Sequence, residues 1–148
     1  MTMEHDEDFL GELVSLIQLD YDAIEAYDAA IHRIRNTEYK NKLTEFKKDH
    51  QAHIKNLSPY VNKEEHEAPT GPGIKSILTQ GKVVLANLVG DTAILKAMKS
   101  NEVDTNKAYQ HINEYGSIPS ELKDSLRKGY EDEKRHLDWI EKELQRLE

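Results

Sequence analysis

Residues 126–140, LRKGYEDEKRHLDWI, decide how the rest of the chain is read. Leu126, Gly129, Glu133, His136 and Ile140 recur at alternating three- and four-residue steps, the spacing of one face of an α-helix. An acid and an imidazole interrupt that face where packing calls for apolar side chains. Glu133 and His136 stand at i and i+3, so they project from the same side about one turn apart. Ionisable groups on a buried face need partners inside the core, because a buried charge without one is strongly penalised.

Three other stretches repeat the pattern. A first helix is expected from about Asp8 to Arg35, with a seam of Leu10, Leu13, Ile17, Asp20, Ile24, Tyr27, Ile31 and Ile34. Asn36-Thr37 ends it and caps a second helix, about Glu38 to Leu57, with Leu43, Phe46, His50, His53 and Leu57 inward and a stop near Ser58-Pro59. A polar loop runs from Val61 to Gly73. Ile74 to Val89, mostly apolar with an internal Gly81, is expected to form a short crossover helix. Gly90-Asp91 breaks it and caps a third bundle helix, about Thr92 to Tyr115, whose seam is Leu95, Met98, Glu102, Thr105, Tyr109 and Ile112. Gly116 reads as its left-handed stop and Pro119 as the start of the fourth helix.

Short links make helices one and two antiparallel, and likewise three and four, while a long link joins two to three. The expected architecture is all-α, an antiparallel four-helix bundle with one long crossover, formed by residues 1–148 as a single domain. Helices of similar length superimpose their midpoints, which brings Asp20, His50, His53, Glu102, Glu133 and His136 to the centre of the bundle. Three carboxylates gathered there would repel one another, and divalent cations are the simplest compensation. The two halves also echo each other. Asp20 precedes Tyr27 by seven residues, as Glu102 precedes Tyr109, and the spans from Asp20 to His53 and from Glu102 to His136 are 33 and 34 residues. A pseudo-twofold axis relating two helix pairs would place one metal near each half.

Composition narrows the chemistry. With no cysteine, disulfides, thiolate zinc sites, iron–sulfur clusters and thiol nucleophiles are excluded, so metal ligands must be His and carboxylate. A net charge of −8 argues against nucleic acid, which needs a basic stripe. Neither a membrane span nor a secretory signal is read in the sequence, which makes the cytoplasm the expected location.

The remaining ionisable groups have plainer readings. His32, His66 and His111 fall off the seam or in the loop and His5 lies near the N-terminus; Asp22, Glu25, Asp28, Asp49, Asp104 and Asp132 are expected on solvated flanks. Asp49 and Glu25 are the first that a modest helix rotation would bring to a metal. Tyr21, Tyr27, Tyr109 and Tyr130 read as packing, with Tyr27 and Tyr109 also placed to donate to ligands. The competing reading of the six central groups is an ion-pair and hydrogen-bond network in a bundle without metal.

The stretch Asp20-Tyr21-Asp22-Ala23-Ile24-Glu25-Ala26-Tyr27 resembles the Glu-x-x-Ala-Ile-x-x-Tyr segment of bacterioferritin helix one, and residues 133–144 are similar to that family's fourth helix. Gly90 to Leu95, Asn101-Glu102 and Tyr109 resemble more closely an uncharacterised bacterial family of ferritin-like, stress-associated domains. The resemblance to the ferritin-like superfamily, of bacterioferritin and rubrerythrin type, implies a non-haem centre. Iron without haem is the expected cofactor, as a di-iron centre, with manganese or zinc as alternatives. It also implies redox chemistry with oxygen or peroxide and an external electron donor. Asp20, Glu102, His53 and His136 would be terminal ligands and Glu133 a bridge, with His50 standing where the family has a second bridging glutamate. No methionine falls at the haem-ligand position, near Gln51. A monomer or small homo-oligomer is expected, since the short fifth helix of the cage proteins has no counterpart. A non-catalytic metal-binding or interaction bundle is the alternative.

Overall fold

The computed structural model describes residues 3–73 and 88–148. Among them are four helices and no strands: α1, Met3–Arg33; α2, Thr37–Lys63; α3, Asp91–Asn113; and α4, Ser120–Leu147. α1 packs on α2 and α3, and α4 packs on α3 and α2, which closes the bundle.

Two apolar layers fix the helix directions. One holds Leu13 and Ile17 from early α1, Leu57 and Val61 from late α2, Tyr109 and Ile112 from late α3, and Leu122 and Leu126 from early α4. The other holds Ala30 and Ile34, Leu43 and Phe46, Leu95 and Met98, and Ile140 and Leu144, from the opposite ends of the same helices. α2 and α3 therefore run the same way, so the link between them must travel the length of the bundle. Between the layers lie the buried polar groups Asp20, His50, His53, Glu102, Thr105, Asp132, Glu133 and His136.

The corner between α1 and α2 is built from polar side chains. Asn36 caps α2, its side chain accepting from Tyr39 N at 3.1 Å. Asp91, the first residue of α3, accepts from Arg35 N at 2.8 Å and Asn36 N at 2.9 Å, using its carboxylate to tie that corner to a third helix.

Several expectations need correction. α2 does not stop at Ser58-Pro59 but continues through Pro59 to Lys63, because Leu57 and Val61 are buried and the lost proline N–H costs one bond near the helix end. On α1 the inner face passes from Asp20 to Ala23, Ala26, Tyr27 and Ala30, leaving Ile24 and Ile31 half-buried. A straight helix drifts by about 20° per heptad against a strict seven-residue seam, and α1 is long enough to show it. Among the described residues positive backbone φ lies at Gly90 (94°) and Glu65 (63°), not at Gly116; α3 ends at Asn113, and Glu114 caps it in ordinary right-handed geometry. The crossover helix expected at Ile74–Val89 lies, apart from its last two residues, outside the described residues.

Candidate metal centre

All six central residues inferred from the seams are buried, and they form two overlapping groups. Asp20, His50, His53 and Glu133 make one; His50, Glu102, Glu133 and His136 make the other. In each, one nitrogen or carboxylate oxygen per residue lies within 4.8 Å of every other. Glu133 and His50 belong to both groups, and His50 turns a different nitrogen to each side: Nδ1 is 2.7 Å from Asp20 Oδ1 and Nε2 is 3.3 Å from Glu102 Oε1.

Tyrosines from the opposite half hold the two outer carboxylates. Tyr109 on α3 donates its hydroxyl to Asp20 Oδ2 on α1 at 2.7 Å, and Tyr27 on α1 donates to Glu102 on α3. Gly129 makes room for the first of these, since a Cβ there would stand 2.4 Å from the Tyr109 ring. Thr105 Oγ1 lies 3.2 Å from Glu133 Oε2 and 3.3 Å from Glu102 Oε2, within reach of both acids.

The histidines are held from outside in the same crossed manner. Asp132 on α4 accepts from His53 Nε2 on α2 at 2.9 Å, and Asp49 on α2 accepts from His136 Nε2 on α4 at 2.8 Å. Asp132 is buried rather than solvated, a correction to the flank position expected for it; His53 supplies the hydrogen bond that makes its burial tolerable. Asp49 has rotated inward far enough to reach a histidine. The signal that could have found both is the repeat of Asp at the position before the i,i+3 pair, Asp49-His50-x-x-His53 and Asp132-Glu133-x-x-His136. Asp28 and Asp104 are exposed as expected, Asp22 and Glu25 are half-buried, and Asp22 accepts from Gly73 N at 2.8 Å. His32, His66 and His111 are exposed.

Burial and neighbouring charge divide these groups. Burial, reinforced by Glu102 and Asp20 respectively, raises the Tyr27 and Tyr109 phenols well above their ordinary value, so both stay protonated and donate. Burial alone would lower the histidines, but their carboxylate partners outweigh it. His50 is held well above the ordinary imidazole value, His53 is raised to about 9 and His136 to about 10. Burial likewise works to raise Asp20 and Glu102, yet hydrogen bonds from the imidazoles hold both below the ordinary carboxylate value. Glu133 behaves oppositely: burial lifts it to about 8, with attraction to His50 offsetting part of the rise and repulsion from Glu102 adding to it.

One atom of this cluster has no hydrogen-bond partner. Glu133 Oε1 is buried, 3.3 Å from His50 Nδ1 and 3.7 Å from His53 Nδ1, and accepts from neither. An orphaned carboxylate oxygen beside three imidazoles and two further acids is what a cation coordinated by nitrogen and oxygen would satisfy, so the residues fit a metal.

Residues 8–114 match the family described as a domain of unknown function, DUF2383. The chain belongs to this family. A solved structure, described as a ferritin-like, diiron-carboxylate protein from Bacillus anthracis str. Ames, superimposes with a TM-score of 0.78 at 18% identity, over 97% of this chain and 99% of that one. That likeness gives the DUF2383 chain a ferritin-like fold. No curated protein sequence matches it. Among the described residues no helix is long and apolar enough to cross a membrane.

Proposed function

We propose that this DUF2383 chain is a non-haem, carboxylate–histidine metal protein with two adjacent cation positions. Asp20, His50, His53, Glu102, Glu133 and His136 would be the ligands and iron the resident metal. The observation that carries the reading is that two buried four-residue groups share Glu133 and His50, with Glu133 Oε1 lacking any other partner. Charge supports it as well. With the three histidines neutral, the carboxylates of Asp20, Glu102, Glu133, Asp49 and Asp132 and the guanidinium of Arg135 sum to the charge that two divalent cations neutralise. Lys128 also touches Asp132, but its side chain is 70% exposed and solvent screens it.

Iron bound there would supply redox chemistry toward oxygen or peroxide, with electrons from an external donor. The chain's own part is to hold the ligands in place and exclude water with the apolar layers above and below. Tyr27 and Tyr109 stay protonated and donate hydrogen bonds to the carboxylates of Glu102 and Asp20. Elemental analysis of protein purified without chelators tests the reading, with a peroxide-consumption assay on the iron-loaded protein. Stoichiometric metal with peroxide consumption is the expected result; protein that neither carries nor takes up metal would overturn it.

A second reading, a bundle that binds metal without turnover or holds a metal-free network, rests on the mutual pairing of these acids and imidazoles, from which Glu133 Oε1 alone is left out. Metal uptake without peroxide consumption would favour it.

A further inference from the structure

Arg135 belongs to neither four-residue group, yet it joins the outer partners of two of their histidines. Its Nη2 donates to Asp49 Oδ2 at 2.7 Å and to Asp132 Oδ1 at 3.2 Å. Asp49 Oδ2 also accepts from His136 Nε2, and Asp132 Oδ2 from His53 Nε2. A continuous path thus runs from His136 through Asp49, Arg135 and Asp132 to His53, linking one histidine from each group.

We propose that Arg135 is a positioning residue shared by both halves of the centre: by holding Asp49 and Asp132 together, it fixes the ring orientations of His136 and His53 at once. The metal consequence rests on the reading of those histidines as ligands; the orienting role does not. The two aspartates lie on one patch of the α2–α4 face, where like charges repel, and among the described residues Arg135 is the cation that contacts both. Asp49 is 28% exposed, so solvent is available to it when the guanidinium is gone. It would then turn outward and leave the outer nitrogen of His136 without its acceptor. Lys128 cannot replace the bridge, since it reaches Asp132 but not Asp49. A planar guanidinium presents several donors in a fixed fork, which suits the joining of two carboxylates.

His136 has a second connection to Arg135. The guanidinium lies 5.9 Å from the Phe46 ring centroid, and Phe46 stacks on His136 at 4.1 Å. His53 is reached through Asp132, so it is the discriminating reporter.

The test uses the full chain. Nitrogen-15 NMR of the metal-free protein reads the imidazole signals of His53 and His136 in the wild type, in Arg135→Ala, and in Arg127→Ala, an exposed arginine of α4 that pairs with Asp124 and Glu131. Both histidines should change in Arg135→Ala and neither in Arg127→Ala. Anaerobic titration with ferrous iron should show binding weakened by about tenfold to a hundredfold in Arg135→Ala, the usual effect of losing an outer support of a ligand. In the Asp49→Asn, Asp132→Asn background, removing Arg135 should have no further effect on the ring signals. Unchanged His53 signals in Arg135→Ala, or an undiminished effect in that background, would overturn the shared role. A wild type that takes up no iron would sink the metal reading, while the ring signals would still decide the role of Arg135.

Discussion

In the α1–α2 pair, Asp20, Tyr27, Asp49, His50 and His53 stand where the α3–α4 pair has Glu102, Tyr109, Asp132, Glu133 and His136. The tyrosine and aspartate supports cross between the pairs: Tyr27, Tyr109, Asp49 and Asp132 each serve a ligand candidate of the other half. The halves differ in what surrounds that common pattern. Asn106 and Asn113 each bridge main-chain carbonyls of α3 and α4, at distances from 2.7 to 3.0 Å, whereas Ile24 and Ile31 occupy the matching places on α1. Phe46 stacks on His136, but its counterpart Gly129 has no side chain, and the Tyr109 ring fills that space and lies 5.2 Å from His53. Directional hydrogen bonds set the register of the half that carries Glu133, the acid common to both groups. In the other half α1 and α2 are joined by apolar contact and by side-chain pairs, Lys47 with Asp28 at 2.6 Å and His50 with Asp20 at 2.7 Å.

The largest break in the comparison should come from Glu133→Ala. It should remove metal from both positions, while Asp20→Ala should remove it from one and His66→Ala, in the exposed loop, from neither. Elemental analysis reads all three, and wild-type metal content in Glu133→Ala would reject the shared ligand.

Gly129→Ala should follow. The added methyl must displace the Tyr109 ring and with it the bond to Asp20, which is overpacking at a cost of about 1–3 kcal/mol. Denaturant unfolding measures the loss, and an unchanged midpoint would mean that the ring has another place to go.

His50→Glu makes the halves alike. A neutral imidazole offers one lone pair, so the wild type should bind its two cations unequally. A carboxylate can span both, and the two steps of a metal titration should converge in the variant. Two equally tight steps in the wild type would show that His50 is no source of asymmetry.

The remaining expected effect is shared by both halves. His53 and His136 are raised to about 9 and about 10, and Glu133 to about 8, in the metal-free protein. Groups raised by folding contribute stability that is present below their unfolded values and lost as pH rises through the folded ones. The metal-free chain should therefore weaken from about pH 4.5, where the Glu133 contribution begins, and more steeply from about pH 6.5 toward pH 10, as thermal melts would record. Bound metal should oppose the trend, because it requires these groups deprotonated. A metal-free protein equally stable at both ends of that window would contradict the pairing of histidines with Asp49 and Asp132.

The four bundle helices, most of their inward faces and the burial of the six central residues were legible in the sequence, whereas the inner face of α1 beyond Asp20 and the end of α2 were not. Helical periodicity is local, and an acid or imidazole on an otherwise apolar seam is buried wherever the seam packs. Periodicity does not set the rotation of one helix against another. Asp49 and Asp132 sit one position beside their seams, about 100° around the helix from His50 and Glu133, where a modest rotation decides between solvent and core. Tertiary packing alone chose the inward setting, crossed each aspartate to the histidine of the other half and laid Arg135 across both. Apart from Arg135 to Asp132, neighbours on α4, those contacts join residues more than 75 positions apart, and their distances depend on how four helices settle together around Phe46, Gly129 and Tyr109.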